Sequence, residues 1–70
     1  MKDGLITIGQ AATILHRTPS TLRRWDRAGH TSAGQNFRAE RRDAVTEMRY
    51  YRLTRILEIR DALLLAELPG

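Results

Sequence analysis

Apolar positions along the chain fall into three helical stretches separated by one stretch with no period. Ile8, Ala11, Ala12 and Leu15 recur at i, i+3, i+4 and i+7, the spacing of one helix face. Thr7 stands before them as an N-cap, with Gln10 at the capping-box position, so the first helix is expected over residues 8–15. The three residues His16, Arg17 and Thr18 leave room only for a turn. Thr18 followed by Pro19 is a helix start, and Gly29 is a left-handed stop, which predicts a second helix over residues 19–28. Two short helices joined by so few residues form a helix-turn-helix.

At about 100° per residue, the second helix separates into two faces. Leu22 and Trp25 share one side with Thr21 and Ala28 beside them, and Trp25 is expected in the core. Ser20, Arg23, Arg24 and Arg27 gather opposite, while Asp26 and Pro19 lie on the flank near Leu22. A hydroxyl and three arginines on one exposed face suit recognition of the DNA major groove.

From His30 to Glu47 the periodicity dissolves into turn-prone Gly34, Gln35 and Asn36 and a charged run from Arg38 to Asp43. The aromatic pair in Met48-Arg49-Tyr50-Tyr51-Arg52 favours a strand. The expectation is a two-stranded wing over residues 30–52, with strands near 30–34 and 48–52 and a basic tip between them. A helical turn within that tip stays open. A last helix, capped by Thr54, is expected over residues 55–68. It carries two apolar stripes, Ile56, Ile59, Leu63 and Ala66 on one side and Leu57, Leu64 and Leu68 on the other. The first closes a core. The second is either a wider core face or a contact for another copy of the chain, in a homodimer or a head-to-tail assembly.

The expected fold is thus mainly α with a small β wing, a winged helix-turn-helix of three helices plus a two-stranded hairpin, in one domain over residues 1–70. The formal charge of +4 points to an anionic partner, and Lys2 is the only lysine among twelve basic residues. Arginine forks match phosphates and guanine edges bidentately. There is no cysteine, and His16 and His30 lie far apart without metal or triad spacing. No metal, no cofactor, no small-molecule ligand and no catalytic residue is expected; an enzyme would need a nucleophile, a paired base or a cofactor loop. No apolar run reaches the roughly 20 residues that span a bilayer, and Met1-Lys2-Asp3-Gly4 has no signal-peptide character. The expectation is therefore no membrane partner and a cytoplasmic protein associated with nucleoid or plasmid.

Three stretches carry a family resemblance: residues 6–12 (ITIGQAA), residues 18–29 (TPSTLRRWDRAG) and Arg49-Tyr50-Tyr51. They resemble the DNA-binding domain of the bacterial MerR family and its excisionase relatives, over almost the whole chain. The resemblance implies recognition-helix contacts from Arg23 and Arg24, with Ser20 and Thr21 near the N-terminal end of that helix; Thr18, at its cap, and Arg27, on the arginine face, join them as candidates. It implies backbone contacts from Arg49 and Tyr51. The wing adds Arg38, Arg41 and Arg42 as candidates. The stretch between Gly29 and Arg49 is longer than in typical members, and the long dimerising helix of full regulators is missing, so ligand sensing is not expected. The run from Arg49 to Thr54, followed by Ile56, Ile59 and Arg60, is similar to the end of the MerR-like domain that precedes some plasmid-partition ATPases. These readings lead to sequence-specific binding of double-stranded DNA, in transcription regulation or plasmid partition. The alternatives are an excisionase-like architectural protein and an adaptor that uses a basic surface to hold an acidic protein.

Overall fold

A computed structural model describes residues 4–67. In chain order these are β1 (Leu5–Thr7), α1 (Ile8–Leu15), α2 (Pro19–Ala28), β2 (Arg41–Arg42), β3 (Arg49–Arg52) and α3 (Leu53–Glu67). Three helices are packed with a small three-stranded antiparallel sheet.

The helix ends follow from local chemistry. The Gln10 amide donates to Thr7 Oγ1 at 3.2 Å while Thr7 N–H donates to Gln10 Oε1 at 2.9 Å, completing a capping box. His16 ends α1 in the left-handed conformation at φ 55, and Arg17 N–H closes back on the Ala12 carbonyl at 3.0 Å. Thr18 Oγ1 accepts from the Thr21 amide at 3.3 Å, with Pro19 in the first turn where no amide hydrogen is needed. Gly29 ends α2 at φ 88, its N–H donating to Trp25 O at 2.7 Å. A side chain there would be strained by that φ and would also meet the Arg38 guanidinium, whose Nη2 lies 2.9 Å from a built Cβ. Both helices keep the spans expected from the sequence.

The sheet differs from the expectation. β3 is the central strand, in the order β1-β3-β2. Leu5, Ile6 and Thr7 pair with Arg52, Tyr51 and Tyr50, and Arg41 and Arg42 pair with Tyr50 and Arg49. The partner strand expected near residues 30–34 is instead a loop wound on Thr31, which is buried. Thr31 Oγ1 accepts from the Ala33 and Gln35 amides, each at 3.2 Å, and donates to Gln35 Oε1 at 2.6 Å. Gly34 takes φ 85, and one isolated bridge joins His30 to Asn36. Local side-chain bonds to the backbone have displaced the ladder there. α3 begins earlier than expected, at Leu53 directly after β3. The Leu53 N–H donates to the Gly4 carbonyl at 2.9 Å, so Thr54 lies inside the helix. The expected end at Leu68 lies outside the described residues.

The buried core comprises Ala11, Ala12, Leu15, Leu22, Phe37, Tyr51, Ile56, Ile59 and Leu63, with Ile6, Ile8, Ile14, Trp25 and Ala39 packed around it. The two alanines let α3 approach α1 closely. Phe37, within the stretch that carries no apolar period, fills the centre: its ring stacks on Tyr51 at 5.0 Å and meets Trp25 edge-on at 5.7 Å. Of the first α3 stripe, Ile56, Ile59 and Leu63 are buried while Ala66 is exposed. Of the second, Leu57 is half-buried and Leu64 exposed, with Leu65 exposed beside it; Leu68 is outside the described residues. Among the described residues no helix is long and apolar enough to cross a membrane.

Candidate nucleic-acid interface

The outer face of α2 is a row of solvent-facing polar side chains. Ser20, Arg23, Arg24 and Arg27 are all exposed. None of the three arginine side chains has a hydrogen bond or ion pair among the described residues. Other arginines are occupied: Arg17 pairs with Glu67, Arg52 with Glu40, Arg55 with Glu58 and Arg60 with Asp61. The N-terminal hydroxyls of α2 are turned inward on each other. Thr18 is exposed but committed as the cap, and its Oγ1 lies 3.0 Å from that of half-buried Thr21.

The fourth charge on α2, Asp26, faces the other way. It is 2% exposed and sits between the helix and the sheet. Its Oδ1 accepts from the Ala39 amide at 3.3 Å. Its Oδ2 meets Arg42 Nη2 at 3.2 Å, Arg49 Nε at 3.1 Å and the Tyr51 hydroxyl at 3.4 Å. A carboxylate taken out of water must be matched by cations and donors, and here two arginines and two hydrogen-bond donors surround it. This hub ties the helix to both strands of the β2–β3 hairpin and to the segment leading into it.

Two of the expected contact residues are turned inward in this arrangement. Tyr51 is 2% exposed, so its ring belongs to the core and its hydroxyl to Asp26, away from any surface ligand. Burial, followed by the negative charge of Asp26, pushes the Tyr51 phenol far above its usual 10.0. Arg49, expected against a phosphate, turns its guanidinium inward to Asp26, with its side chain 29% exposed. The sequence reading passed over Asp26 itself, although its place on the Leu22 flank was visible. A carboxylate flanking a core-facing leucine, on a helix otherwise rich in arginine, is the signal that could have identified it.

Of the candidates in the hairpin and the segment before it, Arg42 shares a groove with Arg23 of α2. Arg38 is exposed over the C-terminal end of α2 at Gly29, and Arg41 and Arg42 are exposed on β2. The connection from β2 to β3 is fixed by Asp43, whose Oδ1 accepts from the Val45 and Thr46 amides at 2.9 and 3.4 Å. The Val45 amide bond, then that of Thr46, holds the Asp43 carboxyl below its usual 3.8, with Arg41 adding its positive charge. Glu47 completes the turn in a left-handed conformation at φ 59. A groove of about 760 Å³ runs between this turn and α2, and Arg23, Arg42 and Arg49 all line it. Arg23 of α2 and the hairpin residues Arg42 and Arg49 thus share one concave surface.

Among the described residues no three His, Cys, Asp or Glu side chains cluster as metal ligands. No buried side-chain polar atom in that set lacks a partner. The arrangement offers donors and positive charge, suited to holding an anionic polymer by its phosphates and base edges. Compared with protein-family models, curated proteins and solved structures, the chain matches none.

Proposed function

We propose that this chain binds double-stranded DNA in a sequence-specific manner, as a MerR-like winged helix-turn-helix module. Helix α2 enters the major groove, and the β2–β3 hairpin, as the wing, lies against the neighbouring backbone. The observation that carries this reading is the segregation of charge on α2. Its one carboxylate is buried and matched from within, whereas Arg23, Arg24 and Arg27 are exposed with no partner among the described residues. Arginines that serve only solubility gain from nearby carboxylates; an unpaired row on the second helix of a helix-turn-helix is arranged for an external anion. Arg24 and Arg27 donate to guanine N7 and O6 or to phosphates, and Ser20 stands at the leading end of the row.

One module of this size buries about 600–1,000 Å² on DNA, so specificity calls for two or more copies on repeated half-sites. The role is that of a transcriptional regulator, or of the operator- or centromere-binding module of a larger plasmid-partition protein. The protein acts in the cytoplasm, on nucleoid or plasmid DNA, without catalysis.

The test is a selection of genomic fragments on purified protein, followed by titration of the recovered duplex at several salt concentrations. A recovered motif bound more tightly than unrelated duplex, with affinity falling steeply as salt rises, is expected. Equal binding to every duplex, erased at physiological ionic strength, overturns the reading. It would favour an architectural role or an adaptor for an acidic protein.

A further inference from the structure

The two arginines that share Asp26 are not equivalent. Arg49 is the inner partner, 29% exposed, bound through Nε at 3.1 Å. Arg42 is the outer one, 60% exposed, touching the same Oδ2 through a single Nη2 at 3.2 Å. A guanidinium carries five N–H donors in a planar fork, so most of the Arg42 donor set faces outward while one donor is engaged. With Arg42 removed, Asp26 retains the Arg49 charge, the Ala39 amide and the Tyr51 hydroxyl. An ion pair with so exposed a cation contributes little to folding. Arg42 is therefore attached weakly enough to leave, and Asp26 is satisfied well enough to let it go.

The destination is on the same surface. Arg42 and Arg23 line one groove between the hairpin turn and α2, and Arg23 has no partner among the described residues. Two carboxylates line that groove as well. Asp43 is turned into the hairpin, accepting the Val45 and Thr46 amides, while Glu47 has no hydrogen bond or ion pair among the described residues. A phosphodiester in that groove would have Arg23 and Arg42 both within its walls, and charge-assisted arginine contacts to phosphate are among the strongest hydrogen bonds.

We propose that Arg42 is an exchangeable arginine: on duplex DNA its guanidinium leaves the Asp26 carboxylate for a backbone phosphate held jointly with Arg23, while Arg49 stays on Asp26. In the free protein the buried carboxylate stands in for that phosphate and keeps Arg42 oriented toward the groove. The inference rests on the DNA-binding reading above and adds a change of partner on binding.

The experiment uses the full chain and the selected duplex, comparing wild type with Arg42→Ala across a salt series. Losing one phosphate contact lowers the slope of log affinity against log salt by about 0.9. The affinity deficit of Arg42→Ala should therefore shrink about threefold between roughly 50 and 200 mM salt, at an unchanged melting temperature. A slope equal to wild type overturns the proposal, whatever the variant's stability. A second readout needs no substitution: on adding duplex to wild type, the NMR guanidinium signal of Arg42 should move while that of Arg49 holds. Both signals moving together, or neither, also overturns it. If wild type binds no duplex in a salt-dependent way, the DNA-binding reading itself falls; if wild type binds and only these signatures fail, the partner exchange alone is wrong.

Discussion

Replacing Asp26 tests whether the buried carboxylate holds the helix and hairpin together. In Asp26→Ala, the Tyr51 hydroxyl, on a residue 2% exposed, loses its acceptor, and the Ala39 amide loses its partner. An unsatisfied buried polar group costs about 1–3 kcal/mol. Breaking a fully buried ion pair costs about 3–5 kcal/mol, but here the cations are 60% and 29% exposed and can turn to water, which removes most of that penalty. A net loss of about 3 kcal/mol follows, dominated by the Tyr51 hydroxyl and the Ala39 amide. A domain of this size has roughly 4–10 kcal/mol in all, so the variant is folded but fragile. At about 4–8 °C per kcal/mol, its melting temperature should fall by about 12–24 °C, read by circular dichroism during heating and checked by urea unfolding. Asp26→Asn keeps a side-chain acceptor and should lose less. A melting temperature within about 3 °C of wild type for Asp26→Ala, less than 1 kcal/mol on that scale, would refute the reasoning. It would mean that the four donors around Asp26 find water without loss.

Three further outcomes are expected. Phe37→Ala removes the ring between Trp25 and Tyr51 and should cost about 3–5 kcal/mol, enough to leave this small domain partly unfolded at 37 °C by circular dichroism. Because the phenol of Tyr51 is raised in the folded state, its contribution is intact below the usual 10.0 and is lost as pH climbs above it; in Tyr50→Phe, which leaves Tyr51 as the one tyrosine, alkaline titration should show tyrosinate absorbance only together with unfolding. Glu47→Gln removes the carboxylate that faces the groove without a partner, so duplex affinity should rise, with no change in melting temperature, in anisotropy titrations at low salt.

The helical half of the fold is legible in the sequence because its signals are local. Capping threonines, Pro19, Gly29 and the i, i+3, i+4 spacing each act within one turn of chain, and α1 and α2 keep the spans that those signals predict. The sheet is less legible because strand partners are set by the whole core. Leu5–Thr7 is too short to show alternation, yet it pairs along β3 because Ile6 opposite Tyr51 covers the core edge. Phe37 is a single aromatic in a polar loop, where no periodicity can mark it as central. The candidate site divides in the same manner. The arginine row of α2 follows from helical angles alone. The fates of Arg49 and Tyr51 depend on a carboxylate about two dozen residues earlier, a long-range pairing that composition and spacing do not encode.

Asp26 links these two halves. A helix that presents arginines to a polyanion carries self-repulsion, and a carboxylate on its outer face would relieve that repulsion at the expense of DNA contact. Placing the acid on the inner flank avoids the conflict, because Asp26 draws hairpin arginines toward α2 while leaving the outer row open. The same contacts help to orient the hairpin: the bonds to Arg42, Arg49 and Ala39 span β2, β3 and the segment before them, beside the Trp25–Phe37–Tyr51 ring contacts that also join α2 to β3. Orientation and charge presentation therefore have a common cause. Shortening or neutralising Asp26 should disturb the spacing between helix and hairpin contacts before it disturbs either element alone.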